Sequence, residues 1–294
     1  MNVAVYARKI TKANLQYFKD FLQSIENVGW NPIIVQDLHE QLVLKEACTK
    51  NYSTFNSHQD FSSGIDLAVS VGGDGTFIDL VSYVRDSNVP MIGINAGRLG
   101  FLANIPKDSV EKAFHQIKEN EFTYQRRSLL EVMTEKNHFS EFNHALNEVT
   151  VSRKDSSAMI IVHADLNEEY LNSYWADGLI VSTPTGSTAY NLACGGPIID
   201  PESELLAITP IAPHNLNVRP LVIPDSKTIT LRVEGRSRQY LLSLDGHSVN
   251  LKNGEEVKIK KADFDIKMIK FPSNSFFETI RNKMLWGLDR RNQF

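Results

Sequence analysis

Three short stretches concentrate the residue types that could do chemistry. The first is Gly72-Gly73-Asp74-Gly75-Thr76, which follows the apolar run Leu67, Ala68, Val69 and Val71. After it, Phe77, Leu80, Val81 and Val84 recur at helical spacing. A strand, a glycine-rich turn with one carboxylate and a helix start form a place where backbone N–H groups can converge on a phosphate. The same residues serve equally as a plain helix start, with Asp74 or Thr76 as the cap. The second stretch, Asp177 to Gly196, leads a strand at Leu179 to Val181 into Thr183-Pro184-Thr185-Gly186-Ser187-Thr188. Hydroxyls and freed amides before a helix from about Ala189 suit phosphate or ribose, although a Pro-Thr-Gly turn with a Ser or Thr cap is the plainer account. The third is Asn147-Glu148, inside an alternating strand. Consecutive strand residues face opposite sides, so only one of the two can meet a ligand unless the strand ends or bulges there; two solvent-facing polar residues is the plainer account. Asp245-Gly246-His247 reads as a hairpin turn. Pro213-His214 and Arg219-Pro220-Leu221 read as an ordered loop in a long connection between strands.

Several chemistries are excluded by pattern. No G-x4-G-K-[ST] loop occurs, and no G-x-G-x-x-G follows the first strand. The eight histidines show no HExxH or other metal spacing, and Cys48 and Cys194 form neither a disulfide framework nor a ligand pair. A formal net charge of −4 without a long basic block argues against a nucleic-acid binder; the nearest feature, Arg126-Arg127, reads as a solvated loop. The N-terminus lacks a signal-peptide apolar region, and no stretch approaches the roughly 20 apolar residues of a membrane span. The expectation is a cytoplasmic protein that contacts neither membrane nor nucleic acid.

The elements that must position these residues fall into two patterns. Strands at Val3 to Tyr6, Pro32 to Val35, Leu67 to Val71 and Pro90 to Ile94 alternate with helices from about Lys12, at Leu38 to about Ala47, after Gly75, and after Pro106, with Asn51 to Ser63 as a surface loop. That alternation implies a parallel sheet. Past Tyr124 the period becomes two. Leu129 to Glu135, Ala145 to Arg153, Ala158 to Leu166, Gly178 to Ser182, Thr228 to Glu234, Gln239 to Leu244 and Val257 to Phe271 read as half-buried antiparallel strands. A domain boundary is expected at about Phe122 to Arg127. The tail returns to helical spacing at Phe277, Ile280, Met284 and Leu285, and its apolar face is expected to pack on the first domain.

Taken together, GGDGT at Gly72 to Thr76, Gly97-Arg98-Leu99-Gly100-Phe101, Asn147-Glu148, DGLIVSTPTGSTAY at Asp177 to Tyr190, and ITPIAPHNLNVRPLVIP at Ile208 to Pro224 closely resemble the NAD kinase family. GGDG alone is shared with diacylglycerol and sphingosine kinases; STPTGSTAY joined to the Arg219-Pro220-Leu221 loop is specific. A lipid kinase does not account for STPTGSTAY, and a non-catalytic nucleotide-binding regulator is argued against by Asp74. The resemblance implies an N-terminal α/β domain with a Rossmann-like parallel sheet (residues 1–125). It also implies an antiparallel β-rich, sandwich-like NAD-binding domain (126–272) and a C-terminal helix returning to the first domain (273–294), with NAD in the crevice between the domains. It further implies transfer of a phosphoryl group from ATP to the 2′-hydroxyl of the adenosine ribose of NAD, with a divalent cation, Mg2+, carried by ATP rather than by protein ligands, in a homodimer or homotetramer. By position, Asp74 corresponds to the catalytic aspartate, and Gly72, Gly73, Gly75 and Thr76 to the ATP phosphate turn. Asp74, Gly75, Phe101, Asn147, Glu148, Asp177, Thr185, Thr188, Ala189, Tyr190 and Asp245 fall where the family contacts NAD. Trp175-Ala176, just before Asp177, lies where the family varies.

Overall fold

Strands whose residues are apolar without alternation need cover on both faces, and the N-terminal part of the chain supplies it with helices. The computed structural model describes residues 1–11, 13–44, 50–62, 64–97, 100–139, 142–154 and 159–285. Its first elements are β1 (Asn2–Tyr6), α1 (Leu15–Asn27), β2 (Asn31–Val35), α2 (Gln36–Leu44), β3 (Ser53–Phe55), β4 (Leu67–Gly72), α3 (Asp74–Val84), β5 (Met91–Asn95), β6 (Ile105–Pro106) and α4 (Val110–Lys118). The strands pair in parallel in the order β3-β2-β1-β4-β5-β6. Val3, Ala4, Val5, Leu67, Ala68 and Val69 are fully buried. Each helix turns one stripe inward: Phe18, Phe21, Leu22 and Ile25 in α1, and Phe77, Leu80, Val81 and Val84 in α3. Burial of each such side chain is worth about 1.5–3 kcal/mol, so the stripe, more than intrinsic propensity, holds each helix. The expected end of α2 near Ala47, the start near Lys12 and Cys48 lie outside the described residues.

The segment Asn51 to Ser63, expected as surface loop, instead contributes β3 and a 3-10 turn at His58–Phe61. Its polarity is that of a sheet edge. Only Phe55 and Phe61 point inward, their rings 5.2 Å apart and edge to face.

The second set comprises β7 (Thr123–Thr134), β8 (His144–Ala145), β9 (Glu148–Arg153), β10 (Ile160–Leu166), β11 (Glu169–Ala176), β12 (Gly178–Ser182), α5 (Tyr190–Ala193), β13 (Leu205–Ile211), β14 (Leu221–Pro224), β15 (Ile229–Gly235), β16 (Gln239–Leu244), β17 (His247–Lys252) and β18 (Val257–Lys270). One antiparallel sheet has the order β14-β13-β12-β9-β16-β17, and β11-β10-β15-β18 forms a second antiparallel layer. Val149, Val151, Leu179, Val181 and Leu242 from the first share a core with Val162, Ile229, Leu231, Val233 and Ile259 from the second. Two antiparallel layers around one core make a β-sandwich.

Besides β17, the return strand of the Asp245 hairpin, three strands here were not expected. β11 follows β10 through Asn167-Glu168, both at positive φ (50° and 69°), as a two-residue hairpin requires. Glu is an unusual residue there, which hid the turn. β13 and β14 occupy what reads as a long loop broken by prolines. Pro210 lies beyond the β13–β14 pairs, which end at Ile208↔Leu221, so its missing N–H removes no bond on that side. Pro224 ends the edge strand β14, where proline is tolerated.

The chain divides into two compact units, residues 1–126 with 266–294, and residues 127–265. Strand β18 serves both. Val257 to Ile259 pair with β15, while Met268 pairs in parallel with Met91 of β5. A final helix, α6 (Phe276–Met284), is capped by the Ser275 side chain, which accepts from the Glu278 N–H. It packs on the N-terminal unit through buried Ile280 and through Phe276, 6.3 Å from the Phe101 ring. No described helix is long and apolar enough to cross a membrane.

Candidate active site

The first chemistry-bearing turn is built by its glycines. Strand β4 ends at Gly72, Gly73 caps α3 with no side-chain bond, and Asp74 is the first helical residue. Neither Asp74 nor Thr76 caps the helix, so the cap reading of this turn does not describe it. Instead Asp74 reaches across to a second loop. Its Oδ1 accepts from the N–H groups of Leu102 (3.0 Å) and Ala103 (2.9 Å), and its Oδ2 accepts from Phe101 N–H (2.9 Å). A carboxylate offers about four acceptor directions, so one remains on Oδ2. The arrangement depends on Gly100, where a Cβ would stand 1.9 Å from Asp74 Oδ1. The loop itself is anchored by buried Asn95, which accepts from Gly97 N–H (2.6 Å) and donates to Ala103 C=O (3.3 Å). Thr76 packs against Gly72, while a Cβ at Gly73 would meet open space. Gly73 is exposed, and its carbonyl accepts from the N–H groups of Thr76 (3.0 Å) and Phe77 (3.2 Å).

Three residues that sequence reasoning passed over complete this centre. Arg8 donates from Nη2 to Gly75 C=O (3.0 Å) and Asp79 Oδ1 (2.8 Å) and from Nε to the same carboxylate. Tyr6 adds a hydrogen bond to Asp79 (3.2 Å), and burial, then Asp79, holds its hydroxyl above the usual phenol range. From α6, Lys283 Nζ lies 3.6 Å from Asp74 Oδ2 and 4.4 Å from the centre of the Phe101 ring. No local sequence signal marks a basic residue more than 200 positions downstream as a neighbour of Asp74. Arg98 and Leu99 of the Gly97-to-Phe101 motif lie outside the described residues.

The second cluster lies in the C-terminal unit. Strand pairing breaks between β8 and β9 at Leu146-Asn147, so Glu148 opens β9 and shares a face with Thr150 and Ser152, while Val149 and Val151 enter the core. What holds the break open is Asp245. It occupies the β16–β17 hairpin at φ 48°, followed by Gly246 at φ 90°, and its side chain accepts from three consecutive amides: Leu146 (2.6 Å), Asn147 (2.8 Å) and Glu148 (3.0 Å). The plain hairpin turn read from the sequence is therefore also the clamp on the Asn147-Glu148 segment. Burial raises Asp245 to about 6, against the pull of its three amides and His247. Burial, then the neighbouring Asp245, raises Glu148 to about 8, partly offset by the Tyr190 N–H. Glu148 Oε2 is buried without a hydrogen-bond partner. It borders a cleft of about 330 Å3 lined also by Thr150, Ser152, Tyr190, Ser243, Asp245 and Gly246.

The hydroxyl-rich turn spends most of its hydroxyls on backbone carbonyls. Thr183 donates to Leu146 C=O (2.6 Å), Ser187 to Pro184 C=O (2.6 Å) and Thr188 to Thr185 C=O (3.3 Å). A Cβ on Gly186 would meet the Asn147 carbonyl at 2.1 Å, so this turn is docked directly on the Asn147 backbone. Thr185 is buried and accepts from Arg127 Nη1 at 3.3 Å. Arg127 is thus no solvated loop residue. It lies in β7 at 6 % exposure, and burial lowers it to about 10. Tyr190 is exposed beside the cleft, Ala189 is half-buried, and Asp177 pairs with Arg153 (2.9 Å). Among the described residues no group of three or more His, Cys, Asp or Glu could hold a metal ion.

Comparison with known proteins bears on these two clusters. A family model described as the ATP-NAD kinase N-terminal domain matches residues 5–122, and one described as the ATP-NAD kinase C-terminal domain matches residues 146–271. An NAD kinase of Flavobacterium johnsoniae is 47 % identical over 99 % of this chain and all of its own length, and one of Flavobacterium psychrophilum is 49 % identical over the same shares. A crystal structure of yeast NADH kinase complexed with NADH superposes with a TM-score of 0.86 at 26 % identity, over 98 % of this chain and 88 % of that one. The chain belongs to the NAD kinase family.

Proposed function

We propose that this protein phosphorylates NAD at the 2′-hydroxyl of its adenosine ribose, with ATP as donor and Asp74 as general base. The observation that carries the proposal is the Asp74 carboxylate, fixed by three amides at the start of α3 with one acceptor direction left. In the transfer, the ribose 2′-oxygen forms a bond to the γ-phosphorus as the bond from that phosphorus to the ADP oxygen breaks. The electron pair leaves with ADP, and the hydroxyl proton passes to Asp74. A carboxylate is a weak base toward a resting alcohol, so the proton moves as the new P–O bond acidifies the hydroxyl. The amides at Gly72, Gly73 and Gly75 and the Thr76 hydroxyl receive the triphosphate, whose charge is met in part by a divalent cation, Mg2+, brought with ATP.

On the acceptor side, Asn147 and Glu148 hold the ribose hydroxyls. The unpartnered Glu148 Oε2 supports this role. Phe101, Asp177, Thr188, Ala189 and Tyr190 frame the rest of NAD. Thr185 and Asp245 act one step back, Thr185 on buried Arg127 and Asp245 as the clamp behind Glu148. On this reading residues 1–125 form the phosphate-binding domain, 126–272 the NAD-binding domain, and 273–294 the returning helix, in a cytoplasmic homodimer or homotetramer. Purified protein with NAD, ATP and Mg2+ should form NADP, read with an NADP-specific dehydrogenase. Asp74→Asn should lower kcat by at least about 10²-fold with KM for NAD largely kept; a near-normal kcat would reject the base.

A further inference from the structure

The turn that Asp74 opens contains no cation, and among the described residues two basic side chains reach it from elsewhere. Arg8 is committed, with Nε and Nη2 bound to Asp79 and to Gly75 C=O. Lys283 is held differently. Its Nζ is 3.6 Å from Asp74 Oδ2, outside hydrogen-bond range, and it rests 4.4 Å from the centre of the Phe101 ring with its side chain 35 % exposed. Three amides already orient Asp74, so an ammonium that is not hydrogen-bonded to it adds little further orientation.

What Lys283 adds is positive charge on a flexible four-carbon stem. A hydroxyl oxygen bound to Asp74 Oδ2 lies about 2.7–2.8 Å away, and the phosphorus it attacks about 3–3.5 Å beyond. Both fall within the sweep of a side-chain tip that starts beside Oδ2. Phosphoryl transfer is accelerated chiefly by cations placed on the charge that spreads over the transferring group.

Resting on the reading of Asp74 as base, we propose that Lys283 is a second catalytic residue, which leaves the Phe101 ring when ATP binds and sets its ammonium against the oxygens of the transferring phosphoryl group. It forms and breaks no covalent bond. The hydroxyl proton still goes to Asp74, and the electron pair still leaves on ADP.

Steady-state formation of NADP by the full chain tests this, with melting temperatures taken alongside. Lys283→Met and Lys283→Gln should lower kcat by about 10–10²-fold while KM for NAD stays within about twofold, and Lys283→Arg should recover most of the loss. Adding Lys283→Met to Asp74→Asn should still lower kcat, by a smaller factor than in the wild type, because the two side chains act on different atoms but are coupled neighbours. An unchanged kcat in the single variants overturns the proposal. So does a loss that vanishes in the Asp74→Asn background, which would make Lys283 a support for Asp74 only, or a loss found only in variants that unfold. Wild-type turnover that survives Asp74→Asn sinks the reading of Asp74 instead, and leaves Lys283 to be judged on its single variants.

Discussion

Asp74 and Asp245 use one device in two places. Each carboxylate spans three consecutive backbone amides, Phe101 to Ala103 in one case and Leu146 to Glu148 in the other. Amides that would otherwise have no acceptor are satisfied, and the chain there is held away from regular pairing. Asp245 has a cost that its clamp tolerates: it stands beside Glu148, and burial of the pair raises both carboxyls. Held well above the usual carboxylate range by burial and Asp245, Glu148 keeps its proton to higher pH, and when protonated it can donate a hydrogen bond as well as accept one. The linkage has a definite sign. A folded-state value above the unfolded one means the folded chain binds the proton more tightly. The stability contributed is therefore complete below the ordinary value of 4.5 and is lost as pH rises through about 8. Glu148→Gln should flatten the fall of Tm between about pH 5 and pH 8 and raise KM for NAD. A Tm profile parallel to wild type would show that Glu148 is ionised throughout that range.

At the scale of elements, the close approach of two loops decides whether the centre exists. Gly100 leaves no room for a methyl group beside Asp74 Oδ1. Gly100→Ala should displace the carboxylate and lower kcat by about 10²-fold, a loss that a misplacement of about 1 Å suffices to cause. Thermal melting would show the fold retained. The elements that carry these loops were legible wherever a period was clean. The stripe Phe77, Leu80, Val81 and Val84 and the alternation Ile229, Leu231 and Val233 are buried as their spacing requires. Three-residue β3 and proline-bearing β13 and β14 were not, because each is stabilised by a neighbouring strand more than by its own residues. At the site, GGDGT and Asn147-Glu148 were visible as candidates. The reach of Asp74 to residues 101–103, the burial of Arg127 and the approach of Lys283 depend on contacts distant in sequence, which no local period encodes. Asn147-Glu148 is instructive: alternation demanded a break in the strand before both residues could serve, and a break is there, made by Asp245 from nearly a hundred residues away.

At the scale of the whole molecule, the N-terminal unit is discontinuous in sequence. It takes residues 266–294 after the chain has built the entire C-terminal unit. Those residues carry Met268, paired with Met91, as well as Phe276, buried Ile280 and Lys283. A chain ended at Phe271 keeps the strand pairing but loses α6. It should melt at a lower temperature, since burial of Ile280 alone is worth about 1.5–3 kcal/mol. It should also lose kcat at least as severely as Lys283→Met; calorimetry and NADP formation check the two effects.

Strand β18 also sets an order of events during synthesis. As the polypeptide leaves the ribosome from its N-terminus, β1 to β5 emerge first, but the side of β5 at Met91 waits for Met268. For the time taken to make the 177 residues from Met91 to Met268, at about 5–20 residues per second, that sheet edge stands open to unwanted strand pairing. The Asp74 turn also lacks its Lys283 neighbour until α6 emerges. A nascent or prematurely ended chain therefore displays the Asp74 turn without Lys283 beside it.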